Sequence, residues 1–105
     1  MAEVKISVTF RHTHPSDSLK SYAEDKLQKI GKYFSRPLEA HVVLSVDSRD
    51  RQLAEVTLQT RQLTLHGREE TNDLYSAIDL VLDKVEQQIR KYKTRIRLRR
   101  RGGKG

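Results

Sequence analysis

The stretch that decides the fold is Leu38-Glu39-Ala40-His41-Val42-Val43-Leu44-Ser45-Val46, with the residues that follow it to Gly67. Leu38, Ala40, Val42, Leu44 and Val46 alternate with more polar neighbours, the period-2 pattern of a strand with one buried face. Residues 47–51 (Asp-Ser-Arg-Asp-Arg) form a polar turn. Ala54, Val56 and Leu58 then share one face of the next strand, and residues 60–62 turn the chain again into Leu63, Leu65 and Gly67. Connections this short make the three strands an antiparallel meander.

Upstream, Leu19, Ala23, Leu27, Ile30 and Phe34 recur at three- and four-residue steps, the apolar stripe of a helix. Ser16 is its expected N-cap, with Asp17 in the first turn suiting the helix dipole. Gly31 weakens the last turn, and Arg36-Pro37 ends the helix. Before it, Val4, Ile6, Val8 and Phe10 alternate as a further strand, broken by residues 12–15. Downstream, residues 71–73 (Thr-Asn-Asp) offer N-caps for a long stripe of Leu74, Ile78, Val81, Val85, Ile89 and Tyr92, expected to fray near Thr94.

The order is therefore β-α-β-β-β-α, an α+β chain. Each strand has one apolar and one polar face; Lys5, Thr9, Arg11, His41, Thr57, Gln59, Thr64, His66 and Arg68 lie opposite the core. Both helices are expected on one face of a four-stranded sheet, as in a double-stranded-RNA-binding domain, with the other face open to water. The first helix joins two strands expected to be parallel, through a right-handed crossover.

With 105 residues this is one domain. It has no cysteine, which excludes disulfides and thiolate metal sites. The start of the chain lacks the apolar core of a signal peptide, and no apolar run approaches the roughly 20 residues of a membrane span. The expected setting is soluble and cytoplasmic. The formal charge is +7, but residues 94–105 carry +6 of it, leaving 15 basic and 14 acidic residues before them. The division expected is a domain over 1–95 and a basic flexible tail over 96–105. Such a tail suits a polyanion, either nucleic acid or an anionic membrane surface; a merely solvated tail is the competing reading.

No glycine-rich phosphate loop, nucleophile elbow or zinc motif is present. His12 and His14 lack a third ligand at metal-binding spacing. Asp79, Asp83 and Glu86 share one flank of the second helix, where Arg90 and Lys93 make a salt-bridged surface the better reading than acid–base chemistry. No catalysis and no cofactor are expected.

The lysines are more informative. Tyr22, Lys26, Lys29, Tyr33 and Arg36 follow one flank of the first helix, and Lys84, Gln88, Lys91 and Arg95 one flank of the second. Side by side, the two flanks are expected to border a shared basic surface suited to a phosphate backbone.

The second helix reads Asn72-Asp73-Leu74-Tyr75-Ser76-Ala77-Ile78-Asp79-Leu80-Val81-Leu82-Asp83-Lys84-Val85-Glu86-Gln87-Gln88-Ile89-Arg90-Lys91-Tyr92-Lys93. It resembles the D-M-Y-x-A-I-D…D-K-L-E-x-Q-L-x-K segment of the ribosome hibernation promoting factors, the family that includes the ribosome-associated inhibitor called protein Y. The first helix resembles the partner segment through Leu19, Tyr22, Glu24, Lys26-Leu27, Lys29-Ile30 and Tyr33-Phe34. The match spans about residues 3–95. The resemblance implies binding to the small ribosomal subunit and its ribosomal RNA, in the channel over the decoding region. Messenger RNA and tRNA sites would be occluded there, in stationary phase or stress. It implies Lys26, Lys29, Lys84, Gln88 and Lys91 as RNA contacts, Arg95 as their extension, and Asp73 and Tyr75 as the residues that cap and seat the second helix. Neither a membrane nor a small-molecule substrate is implied.

There are departures. Leu74 replaces the usual methionine, residues 60–62 lack the glycines of some short members, and a basic end replaces the acidic tail of protein Y. The chain also stops where long members begin a linker to a dimerising domain. A short member, for which a second factor would be needed to pair ribosomes, and part of a long one are both open. A general double-stranded RNA-binding module and a protein-interaction module are the alternative readings.

Overall fold

The computed structural model describes residues 2–102, and side chains as far as residue 94. The elements run β1 (Val4–Arg11), α1 (Asp17–Gln28), a 3-10 turn (Lys29–Tyr33), β2 (Leu38–Ser48), β3 (Arg51–Gln59), β4 (Thr64–Thr71) and α2 (Leu74–Gly102). The order is the expected β-α-β-β-β-α. The sheet is mixed, in the order β1-β2-β3-β4. β1 pairs parallel with β2, Val4 opposite Leu38 and Phe10 opposite Leu44, whereas β2–β3 and β3–β4 are antiparallel.

The core is a single cluster between the sheet and the helices. Val4, Leu38, Ala40, Val42, Leu44, Ala54, Val56 and Leu58 supply the strand side, and Ala23, Leu27, Ile78, Val81, Val85 and Ile89 the helix side. α1 lies over β1, and α2 lies over β3 and β4. The helix starts follow the expected chemistry. Ser16 Oγ accepts the Leu19 amide at 3.2 Å, and Asp73 Oδ2 accepts the Ser76 amide at 3.0 Å. Each satisfies an amide that the first helical turn leaves without a partner.

Gly67 on β4 gives α2 its seat. A Cβ at this position would lie 3.0 Å from Val85 Cγ2 and 3.1 Å from Val81 Cγ2, so hydrogen alone lets the helix approach this closely. Gly31 plays a similar part beneath the start of the chain. Its carbonyl accepts the Ala2 amide at 3.0 Å, and a Cβ there would collide with the Ala2 carbonyl.

Some boundaries differ from those expected. The α-helical stretch of α1 ends at Gln28, and Lys29–Tyr33 tighten into a 3-10 turn rather than continuing to Phe34. The turn between β2 and β3 narrows to Arg49 and Asp50, with a bulge at Asp47 in the extended strand pair. Leu63 precedes β4 rather than opening it. Leu53 is buried on the polar side of β3, opposite Ser45 and Glu70, apart from the main core. α2 does not fray near Thr94 but continues to Gly102. Arginine, leucine and isoleucine there are adequate helix formers, and the first breaker met is a glycine pair. His12, after β1, is the one non-glycine residue with positive φ (59°) among the described residues.

Candidate nucleic-acid interface

α1 and α2 lie side by side, and what faces what across their junction decides where charge is exposed. Tyr22, Lys26 and Tyr33 point from α1 and its 3-10 turn toward α2, and Asp79 and Glu86 point back. Tyr22 Oη donates to Asp79 Oδ1 at 2.6 Å, and Lys26 Nζ lies 2.8 Å from the same oxygen. The Lys26 ammonium also sits 5.2 Å from the centre of the Tyr22 ring, which meets Tyr75 edge-on at 5.0 Å. Hydrogen bonds from Lys26 and Tyr22 hold the Asp79 carboxyl below the usual carboxylate range. The same contact with Asp79 raises both the Lys26 ammonium and the Tyr22 hydroxyl above their ordinary values.

A second clasp repeats the arrangement further along. Tyr33 Oη donates to Glu86 Oε2 at 2.9 Å, and Arg90 Nε donates to Tyr33 Oη at 3.3 Å. Arg90 Nη2 lies 3.4 Å from Glu86 Oε1, the i,i+4 pair expected on this flank.

The two basic flanks therefore do not border one another. The α1 flank meets the acidic side of α2, because a lysine and two tyrosine hydroxyls gain partners there that a second row of lysines would deny them. The basic flank of α2 lies on its other side, beside β4. Lys84 Nζ is 2.7 Å from Glu69 Oε2, yet its side chain stays 54% exposed. Gln88 Nε2 donates to the His66 carbonyl at 3.2 Å, and Lys91 is exposed. Lys29 is exposed at the start of the 3-10 turn. The side chain of Arg95 lies outside the described residues.

The structure brings forward three cations that the spacing of lysines did not single out as contacts. The Lys32 ammonium lies 5.2 Å from the centre of the Tyr33 ring, and the Lys93 ammonium lies 5.0 Å from that of Phe34. With Arg90 on Tyr33, they gather around two consecutive aromatic residues. The available signal was the change of sign along one helix flank, acidic to Glu86 and basic from Arg90 onward.

The open face of the sheet is polar. Ser7, His41, Thr57 and His66 form one rung across all four strands. Within it Ser7 Oγ and His41 Nδ1 are 2.7 Å apart, and Thr57 Oγ1 and His66 Nδ1 are 3.0 Å apart. Among the described residues no group of three or more histidine, cysteine or acidic side chains is placed to hold a metal ion, and no helix is long and apolar enough to cross a membrane.

The model of the family described as Sigma 54 modulation protein / S30EA ribosomal protein matches residues 6–97. The chain belongs to this family. Among curated members it is 39% identical over 95 residues to the ribosome hibernation promotion factor of Lactococcus lactis subsp. cremoris, covering 89% of this chain and 51% of that protein. The factor of the same name from Staphylococcus aureus is 40% identical over 83 residues, covering 77% of this chain and 44% of that protein. The chain thus spans about half the length of these S30EA relatives. The crystal structure of the Thermus thermophilus Protein Y N-terminal domain superposes with a TM-score of 0.76 at 29% identity, covering 86% of this chain and 98% of that one. A ribosomal subunit interface protein from Coxiella burnetii shares the fold, with a TM-score of 0.73 at 23% identity over 90% of this chain and 99% of that one.

The S30EA segment at 73–79 now has a physical reading. Asp73 caps α2, Tyr75 packs on Tyr22, Ala77 and Ile78 are buried, and Asp79 clasps α1.

Proposed function

We propose that this chain binds the small ribosomal subunit through its ribosomal RNA, over the decoding region, and silences translation by occluding the messenger RNA and tRNA sites. The observation that carries this reading is its kinship with two ribosome hibernation promotion factors over most of its length. The geometry supplies a matching surface. Lys84, Gln88 and Lys91 follow one flank of α2 at the spacing of successive turns, where phosphates can be met in a row. Arg95 extends this row, and Lys29 adds a contact from the 3-10 turn. Lys26 joins them only by sharing its ammonium between Asp79 and a phosphate.

The action is occupancy rather than chemistry, so no cofactor or small-molecule substrate enters it. Its setting is the cytoplasm in stationary phase or stress, and a second factor would be needed if this domain alone is to pair ribosomes. The test is co-sedimentation with small subunits, together with translation in vitro. Wild type should sediment with the subunit and inhibit, and Lys84→Glu with Lys91→Glu should abolish both. Unchanged binding by that variant would overturn the proposed surface. Equal affinity for an arbitrary RNA duplex would move the reading to a general double-stranded RNA-binding module. Failure to bind either at low salt would leave a protein-interaction module.

A further inference from the structure

α2 carries cations on two sides. Lys84, Gln88 and Lys91 face the β4 edge, while Arg90 and Lys93 fall on the flank that faces α1. Along that flank Asp79 and Glu86 are taken up by Tyr22, Lys26 and Tyr33. Beyond Glu86 the flank is basic. Lys32 lies over the Tyr33 ring from the 3-10 turn, and among the described residues Arg90 alone of these three cations is paired with a carboxylate, Glu86.

These cations are also held in place. The two ammonium groups rest on the Tyr33 and Phe34 rings, whose faces attract them, and the guanidinium is braced by Tyr33 and Glu86. Side chains ordered before binding lose less freedom when a ligand arrives. A local excess of fixed positive charge beside half-buried aromatic rings is the chemistry of a polyanion backbone site.

We propose that Lys32, Arg90 and Lys93 form a second phosphate-binding rail, which takes a stretch of RNA backbone separate from that met by Lys84, Gln88 and Lys91. The inference rests on the RNA-binding function proposed above and adds a second line of contact to it. An α-helix with its side chains is about 10–12 Å across, whereas successive phosphates of one strand advance about 3.4 Å along a duplex. Rails on opposite sides of α2 therefore meet different stretches of backbone, with the helix crest between them.

The experiment measures affinity for purified small ribosomal subunits against salt concentration. Each phosphate contact contributes about 0.7–0.9 to the slope of log K against log salt. Lys32→Gln with Lys93→Gln should lower that slope by about 1.4–1.8, and Lys32→Arg with Lys93→Arg should restore it. Lys5→Gln with Lys20→Gln removes the same charge from the open sheet face and from the flank of α1 turned away from α2, and should leave the slope unchanged. Both pairs are exposed, and circular dichroism checks the fold of all three double variants; the single substitutions, each worth half the change, serve if a double variant is unstable. An unchanged slope in the Lys32/Lys93 pair, or an equal fall in the Lys5/Lys20 pair, would overturn the second rail while leaving the function standing. Absence of wild-type binding would overturn the function and the rail together.

Discussion

Replacing Gly67 with alanine tests how α2 is seated on the sheet. The new methyl would lie 3.0 Å from Val85 Cγ2, 3.1 Å from Val81 Cγ2 and 3.5 Å from the Val81 carbonyl oxygen. Carbon atoms in comfortable contact sit about 3.5–4.0 Å apart, so two contacts are short by about half an ångström. Neither valine can turn aside, since β-branched side chains in a helix hold one rotamer. The helix must lift instead. Overpacking of this kind costs about 1–3 kcal/mol, and removing a glycine from a strand interior returns about 0.5–1 kcal/mol. The net expectation is a loss of about 1 kcal/mol, or about 5 °C in Tm for a chain of this size. Scanning calorimetry reads it directly. Adding Val85→Ala makes room for the methyl, so the double variant should be about 1 kcal/mol more stable than the sum of the single effects. A Gly67→Ala protein that melts at or above the wild-type temperature would refute the reasoning.

The remaining expectations concern the helix junction and its start. Asp79 titrates below its unfolded value, so its contribution is fully present above that value, near pH 4, and is lost as pH falls through the folded one. Asp79→Asn should therefore destabilise the protein at pH 7, and the gap should close on acidification. With Asp79 and Lys26 each about 40% exposed, solvent screening keeps it under about 1 kcal/mol; urea unfolding at pH 7 and pH 3 measures both ends. A gap that widened toward pH 3 would contradict the clasp. Asp73→Ala removes the acceptor of the Ser76 amide and should cost about 1 kcal/mol, seen as a lower urea midpoint with unchanged slope.

Local pattern carried most of the fold. Alternation in Leu38 to Val46 and the stripe from Leu74 to Ile89 need only one element's periodicity to be read, and both stand in the structure. The 3-10 turn was hidden because Ile30 and Phe34 keep helical spacing, while the close approach of Ala2 to Gly31 arises from a distant part of the chain. The candidate surface was legible one helix at a time. Periodicity states which residues share a flank, but not which flank a neighbouring helix covers. The complementarity of Tyr22, Lys26 and Tyr33 with Asp79 and Glu86 held that information as paired chemistry between helices, not as spacing within one. Arg90 and Lys93 looked like neutralising partners for acids that α1 in fact shares.

The start of α2 is anchored on the sheet. Among the residues whose side chains are described, its buried ones run from Leu74 to Ile89, and the helix itself continues to Gly102. It behaves as a cantilever clamped on the sheet. At about 1.5 Å per residue, Val85 lies roughly 16 Å from a pivot at Leu74 and Lys93 roughly 28 Å. A lift of about half an ångström at Val85 would therefore become about 0.9 Å at Lys93. The volume of one side chain beneath the helix sets the aim of charges it never touches.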